Sequence, residues 1–478
     1  MGTKSIKKNY LYNIALTLSS LIFPMIVYPY VTRTIGPSGI GKVSFATSLL
    51  SYFGIFAQLG VPTYGIRECA RVRNNIDKLS KLTIELLIIN TVTCSITYIV
   101  FLLSVFFIPR LQGDKALYLF MSISLLLNAI GMDWLYRGLE EYRYITIRSL
   151  AFKLIAIILM FLTIRDSHDY IKYGVLTVFA SSASNVLNLI NLRRIIILSN
   201  VGELELRKHI SRILVFVGMT CATTVYMNLD TIMLGVLTTD KDVGYYDAAV
   251  KIKKVIVAIV TSLGGVLLPR LSMMEGEGDW QGFSKLCKKS LNYTVTISIP
   301  LVAFFVCFAK QCILILCGKE FYNAIVPMRI ILITVVFIGI SNITGVQVMV
   351  PKKMEKGILI SEICGAIIDV IFNAMFIPRF GASGAAAGTV LAEMVVLVVQ
   401  VYLIREYAVK LFKGIQFFKI LLATIIACVI AQIVNIYSYN IVVDLVVGGM
   451  GFFLMYVIIL ILLKQDFVVS IINNVKRR

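Results

Sequence analysis

The chain has 478 residues, of which 58% are hydrophobic and only 15% are charged, and its mean hydropathy is +0.87. Soluble domains carry about 25% charged residues, so this composition excludes a soluble globular fold for most of the chain. The net charge of +20 would suit nucleic acid, but the basic residues flank apolar runs, which favours membrane lipids as partners and no nucleic acid.

Fourteen apolar runs are long enough to cross a membrane as helices, which needs about 20 residues each. They cover 9–32, 43–66, 83–108, 116–136, 148–164, 172–192, 212–236, 245–269, 289–308, 326–350, 358–378, 385–404, 418–436 and 441–463. The first run lacks a small-residue cleavage site, so we expect it to be retained. An even number of spans places both ends of the chain on one side.

The gaps between these runs alternate in charge. Of the 46 Lys and Arg residues, 27 lie in the two terminal tails and in every second gap, and four more stand at the first or second residue of the run that follows such a gap, which makes 31 on one side: Arg148, Arg212, Lys289 and Lys419. An excess of Lys and Arg marks the cytoplasmic side. The sequence therefore predicts a multi-pass protein of the bacterial cytoplasmic (inner) membrane with both termini in the cytoplasm.

A weak internal repeat relates the segments 34–46 and 233–249, each of which reads apolar-Gly, polar turn, apolar-Gly and then a small-residue helix start. The offset of about 200 residues corresponds to six spans. We therefore predict an all-α membrane protein with two six-helix lobes, residues 1–205 and 206–410. A C-terminal helix pair with a cytoplasmic tail follows in 411–478.

The segment Gly36–Lys42 nearly spells a nucleotide-binding loop, Gly-x-x-x-x-Gly-Lys. Val43 stands where a magnesium-binding Ser or Thr belongs, and no strand precedes the segment. We interpret it as a tight interhelical turn. No ATPase is visible, so any pumping has to use an ion gradient or the membrane potential.

Cysteine and histidine provide no pattern for a metal or catalytic site. The nine Cys include no Cys-x-x-Cys pair, and the only two His are His168 and His209. This scarcity speaks against zinc hydrolysis and against a Ser-His-Asp triad. We predict no cofactor, no metal and no enzyme activity.

Charged residues inside spans are costly and are therefore candidates for function. Asp230 lies six residues before the outer end of the seventh span, and Lys251, Lys253 and Lys254 lie at a comparable depth in the eighth span, which starts on the same side. Asp247 stands one helical turn before Lys251. One interpretation is a basic cavity that two Asp neutralise only in part, and the other is a structural ion pair between neighbouring helices.

Further charges stand in other spans. Lys153 and Arg329 lie nearer to the membrane surfaces, where snorkelling explains them as well as substrate contact does. Arg33 follows two prolines that could kink the first helix into a gate element. Asp369 and Glu393 lie at one depth in adjacent spans and could hold a proton or a sodium ion, or each could be paired elsewhere.

Several motifs together resemble a known family. They are VTRTIGPSGIG at 31–41, GVPTYGIR at 60–67, and LDTIMLG at 229–235 with VGYY at 243–246. The sequence resembles polysaccharide-unit flippases of the Wzx type, in the polysaccharide transport family of the MATE-like flippase/exporter superfamily. The resemblance extends over essentially the whole chain.

This resemblance implies a V-shaped bundle with a central cavity that exports an undecaprenyl-diphosphate-linked oligosaccharide from the inner to the outer leaflet. The product would be O-antigen, capsule or exopolysaccharide, with polysaccharide polymerase and chain-length proteins as partners. Basic cavity residues would contact the anionic headgroup during alternating access, and the coupling ion, if there is one, would be a proton or sodium. We expect Arg33, Lys251 and Lys254 in that role, with Lys153 and Arg329 as further candidates.

Two other functions compete with this hypothesis. A cation-coupled exporter of drugs or small molecules has a related fold, but acidic residues would be expected in its cavity. A polysaccharide polymerase would be expected to carry a large periplasmic loop, and a lipid-linked glycosyltransferase an acidic site or a soluble domain; neither is visible in the sequence.

Overall fold

A computed structural model describes residues 6–197, 203–437, 440–466 and 468–469. These residues form helices and short connections, with no β-strand among them. Nine of their helices are long and apolar enough to cross a membrane, or up to 12 if each of three bent pairs forms one span. The prediction of a helical multi-pass membrane protein is thus confirmed, and the count of fourteen spans stays a prediction.

The chain divides into two compact units, Met1–Gly244 and Tyr245–Arg478. The helices that begin in unit 1 are α1 Ile6–Gln58, α2 Val61–Val72, α3 Ile76–Phe107, α4 Pro109–Gln112, α5 Lys115–Gly131, α6 Asp133–Gly138, α7 Tyr142–Thr163, α8 Tyr170–Val178, α9 Asn185–Leu192, α10 Leu206–Leu237 and α11 Asp240–Glu277. A 3₁₀ turn, Ser167–Asp169, precedes α8, and a π-helical turn, Phe179–Ala183, follows it.

Unit 2 contains most of α11 and the remaining helices. They are α12 Trp280–Cys307, α13 Ala309–Leu316, α14 Ile325–Ile331, α15 Thr334–Asn342, α16 Glu355–Phe380, α17 Ala382–Leu403, α18 Arg405–Phe412, α19 Phe417–Tyr437 and α20 Ile441–Leu462. A 3₁₀ segment, Lys319–Ala324, and a π-helical segment, Ile343–Met349, complete it. The predicted lobes, which meet between residues 205 and 206, stay a prediction.

Helix α1 contains the predicted interhelical turn, and a single residue makes it. Gly36 has φ 74° and ψ 177°, which only glycine adopts readily, and helical structure resumes at once. Pro37 then stands at the first helical position, where its missing N–H costs nothing. The turn is shorter than the sequence indicated, because the residues from Pro37 to Lys42 already belong to the second arm of α1.

The first arm of α1 runs parallel to α7. Three hydrogen bonds join residues that are 134 positions apart: Thr146 Oγ1 to Tyr12 O at 3.0 Å, Lys153 Nζ to Ser19 Oγ at 2.8 Å, and Tyr30 Oη to Ile164 O at 2.6 Å. A constant offset along two helices can arise only if they point in the same direction.

The second arm of α1 runs back along α3. Lys42 Nζ donates to Asp114 Oδ1 at 2.9 Å just beyond the end of α3, and Thr93 Oγ1 donates to Ala57 O at 2.8 Å deeper in the unit. Tyr170 also donates to Asp114, at 2.7 Å. Lys42 therefore lies at the same end of unit 1 as the start of α8, and the arm leads away from it.

The second arm ends earlier than the predicted span 43–66. Leu59 and Gly60 have positive φ values of 44° and 70°, so the helix ends at Gln58. A separate helix, α2, then begins at Val61 with Pro62 in its first turn. Hydropathy alone could not locate this break, because the residues on both sides of it are apolar.

The two segments of the internal repeat pack against each other within unit 1. A Cβ on Gly41 would lie 1.7 Å from Asp240 O, and one on Gly235 would lie 2.1 Å from the Phe45 ring. Arg110 closes this contact by donating to Gly235 O at 2.8 Å and by pairing with Asp240. The glycines of the motif thus serve close helix packing, as small residues do in membrane proteins.

Helices α16 and α17 form an antiparallel hairpin in unit 2. Gly388 packs against the Asn373 side chain, and Gln400 Nε2 donates to Ser361 Oγ at 3.2 Å. These contacts set one register for the whole hairpin. In this register, Asp369 and Glu393 lie at about the same level.

Candidate functional site

A cavity of about 620 Å³ opens within unit 1. Its walls come from the second arm of α1, the start of α2, α5, the α8–π segment and α10. Twelve of its 21 lining residues carry a hydroxyl or amide group, and none of the 21 is charged. The volume lies in the range of about 300–1,000 Å³ that is typical of small-molecule sites.

The polar lining residues follow helical spacing on each wall. Helix α1 contributes Thr47, Ser51 and Gln58, α5 contributes Ser124 and Asn128, the α8–π segment contributes Thr177, Ser181 and Ser182, and α10 contributes Thr220, Thr224 and Asn228. Residues three or four apart share a helix face, so each helix turns one polar stripe toward the cavity. The π-helical turn adds Ser181 and Ser182 side by side, and such turns often occur at functional sites.

Most of these hydroxyl groups face the cavity as hydrogen-bond acceptors. Six of them donate their proton to a carbonyl three or four residues earlier in the same helix: Thr47, Ser51, Ser124, Thr177, Ser181 and Thr220. A hydroxyl group has one proton and two lone pairs, so its oxygen can still accept. The wall therefore suits a ligand rich in hydroxyl donors.

Among the basic residues predicted from the sequence, Lys153 has the most unusual surroundings. Its side chain is buried on α7, and Nζ donates to Ser19 Oγ at 2.8 Å and to Ser20 Oγ at 2.9 Å. No carboxylate of the described chain lies within ion-pair distance of it. A buried ammonium without a carboxylate is costly, and it is a natural place for an external anion.

The other predicted basic residues are more accessible. Lys251 is half-buried and pairs with Asp247, one turn earlier, at 2.6 Å, while Lys254 is exposed. Arg33 is exposed and donates to Pro29 O at 2.7 Å. Arg329 is exposed on α14 and donates to Val306 O at 3.3 Å. None of these four residues lines the cavity in unit 1.

The predicted acidic residues are all buried. Asp230, on α10, is 7% exposed, and Asp369 and Glu393, on the α16–α17 hairpin, are 1% and 9% exposed. The hairpin register supports the expectation that the last two share one depth. Among the described residues, no group of three or more His, Cys, Asp or Glu residues could hold a metal ion.

Comparison with known protein families shows to which family this chain belongs. Residues 6–275, more than half of the chain, match the family described as "Polysaccharide biosynthesis protein". The chain belongs to the polysaccharide biosynthesis protein family. Residues 216–375 also match the MatE family. The resemblance inferred from the motifs is thereby confirmed.

Relatives of this polysaccharide biosynthesis protein include a protein of Escherichia coli strain K12 named "Putative O-antigen transporter". It is 24% identical over 408 residues, which cover 84% of this chain and 97% of the relative. A relative in Haloferax volcanii, named "Probable low-salt glycan biosynthesis flippase Agl15", is 20% identical over 187 residues, 38% of each chain. The relatives with assigned functions are transporters and flippases, not enzymes.

Among solved structures, the lipid II flippase MurJ in an inward closed conformation matches this family member with a TM-score of 0.76. The alignment is 16% identical and covers 96% of this chain and 100% of that chain. An inward-facing multidrug transporter of the MATE family matches with a TM-score of 0.62 and 17% identity, over 87% and 97% of the two chains. These likenesses establish the fold.

Sequence reasoning on this polysaccharide biosynthesis protein overlooked the uncharged polar residues that line the cavity in unit 1, because it concentrated on charged residues. The available signal was the spacing of uncharged polar residues within apolar spans, such as Thr220, Thr224 and Asn228. Sequence reasoning also treated Arg148, at the start of the predicted span 148–164, only as one of the basic residues that mark the cytoplasmic side. The structure buries Arg148 behind the cavity wall, with only 6% of its surface exposed.

Proposed function

We propose that this family member is a flippase that moves an undecaprenyl-diphosphate-linked oligosaccharide repeat unit from the cytoplasmic to the outer leaflet of the inner membrane. Its product would serve O-antigen, capsule or exopolysaccharide assembly. The observation that carries this proposal is the cavity in unit 1, whose polar but uncharged wall suits a sugar. Family membership and the transporters and flippases among the relatives support it.

A membrane protein needs such a cavity to move a sugar, because sugar hydroxyl groups lose their hydrogen bonds to water in about 30 Å of hydrocarbon. The wall hydroxyls replace these bonds. We assign the sugar portion of the substrate to this cavity for that reason. Alternating access, in which the site opens to one side of the membrane at a time, would complete the transfer without ATP.

The anionic diphosphate requires a different environment, and we assign it to basic residues. Lys153 is the first candidate, because no carboxylate neutralises it among the residues described. Arg33, Lys251, Lys254 and Arg329 are the remaining candidates. Of these, Lys251 already pairs with Asp247, so a phosphate would have to compete with that carboxylate.

The energy for transfer would come from the membrane potential, which is negative inside. Outward movement of one negative charge releases about 2.3 kcal/mol per 100 mV, and two phosphate charges would roughly double this value. A coupled proton or sodium ion at Asp369 and Glu393 would add a second source. Polysaccharide polymerase and chain-length proteins would receive the product.

A test of the function is deletion of the gene in the source strain, followed by analysis of lipid-linked intermediates. We expect full-length lipid-linked repeat units to accumulate on the cytoplasmic leaflet, protected from membrane-impermeant sugar oxidants in intact cells. Complementation with the wild-type gene should restore their exposure. Unchanged exposure in the deletion strain would contradict the proposal.

A cation-coupled exporter of drugs or small molecules is the second candidate, and the match of residues 216–375 to the MatE family favours it. Cationic drugs require acidic groups in their site, whereas the cavity in unit 1 is lined by none. Drug-susceptibility measurements on the same deletion strain separate the two functions. An exporter predicts higher sensitivity to cationic drugs with normal lipid-linked intermediates.

A further inference from the structure

Arg148, on α7, is hydrogen-bonded to residues directly behind the cavity wall. Its Nη1 donates to Ser184 Oγ at 3.1 Å and to Asn185 Oδ1 at 3.1 Å. Its Nη2 donates to a carboxylate oxygen of Asp133, which compensates its charge. The guanidinium is therefore held on two sides in a fixed position.

A chain of hydrogen bonds leads from this arginine to the cavity. Asn185 Nδ2 donates to Asn128 Oδ1 at 3.0 Å, and Asn128 lines the cavity. Gly131 makes room for this chain, since a Cβ at that position would lie 2.6 Å from Asn185 Cγ. Three side chains on three helices thus form one connected path.

The direction of the path follows from the chemistry of arginine. A guanidinium only donates, so Asn185 must present its oxygen to Arg148 and its NH₂ group to Asn128. Asn128 must then accept through its own oxygen, which leaves its NH₂ group for the cavity. The obligate donor at the start of the chain thus determines the orientation of both amides.

We propose that Arg148 is a positioning residue that holds Asn128 as a fixed donor in a wall rich in acceptors, and that the cavity thereby selects an acetamido sugar. The acetamido carbonyl would accept from Asn128, while the sugar hydroxyls would donate to wall oxygens such as those of Ser124 and Thr177. This inference rests on the proposed function and names its substrate class.

The other two amides of the wall differ from Asn128. Asn228 Nδ2 already donates to Thr224 O at 3.1 Å, and its Oδ1 adds a further acceptor to the wall. Gln58 also carries an amide, but within the described residues it makes no hydrogen bond, so it can rotate to present either group. A diphosphate offers acceptors only, so the acceptor-rich wall disfavours it. A plain hydroxyl can serve as acceptor for Asn128, but it lacks the reach and the acceptor strength of an acetamido carbonyl.

The experiment is saturation-transfer NMR on the full-length protein in detergent micelles, with titrations of methyl N-acetylglucosaminide and methyl glucoside. We expect the acetamido sugar to bind about tenfold tighter, the effect of roughly one well-placed hydrogen bond. Inorganic pyrophosphate should not displace it. Asn128→Asp should abolish the preference, because a carboxylate cannot donate.

Two further variants test the positioning role. Asn185→Ala leaves Arg148 paired with Asp133 but releases the Asn128 amide, so the preference should fall several-fold and not vanish. Arg148→Lys should have a similar effect on the preference. Asn13→Asp is the matched control, since Asn13 is exposed on the first arm of α1, and it should keep the wild-type preference. Thermal melts establish that each variant is folded.

Equal binding of the two sugars, no binding of either one, or an unchanged preference in folded Asn128→Asp would overturn the inference. The proposed function is tested separately by the exposure of lipid-linked repeat units in cells. If the wild-type protein restores this exposure but shows no acetamido preference, the proposed function stands and the proposed selectivity is wrong. If it shows the preference but does not restore exposure, the selectivity stands and the proposed function is wrong.

Discussion

Gly244 packs so closely on Pro37 that a Cβ at position 244 would lie 2.0 Å from the Pro37 carbonyl oxygen. The obstacle is backbone, which cannot rotate away as a side chain can. This contact lies at the turn that separates the two arms of α1, where Gly41 likewise approaches Asp240. The first turn of α11 is thus seated directly on the start of the second arm.

We predict that Gly244→Ala lowers the stability of the protein. Overpacking of a tight contact costs about 1–3 kcal/mol, so the thermal midpoint in detergent should fall by several degrees. Gly265→Ala in the same helix is the matched control, because nothing lies within 4 Å of its added Cβ. That control should be neutral or slightly stabilising, since Ala favours helix over Gly. Equal midpoints for both variants would contradict the prediction.

Lys153→Met should reduce translocation without unfolding the protein. A charge-assisted hydrogen bond contributes about 1.5–3 kcal/mol, so loss of a phosphate contact should slow flipping by roughly tenfold to a hundredfold. Stability should be unchanged or higher, because a buried ammonium without a carboxylate is removed. The measurement is flipping of lipid-linked oligosaccharide in proteoliposomes together with a thermal melt.

Lys310→Met serves as the control for that experiment, because Lys310 is exposed and makes no ion pair among the described residues. We expect wild-type flipping from this variant. If Lys153→Met flips at the wild-type rate, Lys153 does not bind the headgroup. If it fails to fold, the buried ammonium has a structural role in joining α7 to α1.

Glu85 is the centre of a buried polar chain in unit 1. Its Oε2 bonds His209 Nε2 at 2.8 Å, its Oε1 accepts from the Glu205 backbone N–H at 2.7 Å, and His209 Nδ1 bonds Tyr64 Oη at 2.7 Å. We predict that Glu85→Ala destabilises the protein by about 1–3 kcal/mol for each group left without an acceptor. Glu68→Ala, which removes ion pairs with the exposed Arg67 and Arg71, should cost about 0–1 kcal/mol.

The measurement for this pair is the thermal midpoint of each variant in detergent. A double-mutant cycle with His209→Ala should show strong coupling to Glu85→Ala, because the two residues share one buried bond. Additive effects of the two substitutions would show that the Glu85–His209 bond contributes little to the stability of unit 1.

The direction of net flipping should depend on the sign of an imposed membrane potential. A potassium diffusion potential of 100 mV, negative on the side that donates the substrate, releases about 2.3 kcal/mol for each uncompensated negative charge that crosses. We therefore expect net accumulation of lipid-linked oligosaccharide in the opposite leaflet of proteoliposomes. Reversal of the potential should reverse the accumulation, and an assay insensitive to potential would contradict this driving force.

Asp369→Asn tests whether an ion adds to that force. If Asp369 and Glu393 hold a proton or sodium ion, the variant should lose the response to a pH or sodium gradient and keep the response to potential. Glu406→Gln, an exposed change on α18, should alter neither response. A wild-type protein that ignores both gradients would exclude coupling at this pair.

Much of the fold could be predicted from the sequence, because each membrane-spanning helix is marked by its own run of apolar residues. The turn after the first span required only Gly36 and Pro37, since one residue with positive φ followed by proline is sufficient to reverse a helix. The family was also readable from local motifs around this turn and around Gly235. The end of the second arm at Gln58 was not, because two residues of unusual φ interrupt a run that remains apolar.

The candidate site depended on tertiary structure. A serine or threonine that donates to its own helix, as Ser51 does, is common in any membrane span and carries no signal by itself. Only packing brings such residues from five walls around one cavity. Lys153 and Arg148 are likewise recognisable in the sequence as basic residues, but only the structure shows their partners. Lys153 donates to two serines of α1, whereas Arg148 pairs with the carboxylate of Asp133.

The sequence alone determined that this chain crosses a membrane many times, where its first helix reverses and to which family it belongs, because these properties depend on composition and on neighbours along the chain. Tertiary structure alone decided which polar groups meet in the cavity of unit 1 and which way the Asn128 amide points. The orientation of the Asn128 amide depends on a chain of hydrogen bonds that starts at Arg148, and these residues come into contact only when the chain folds.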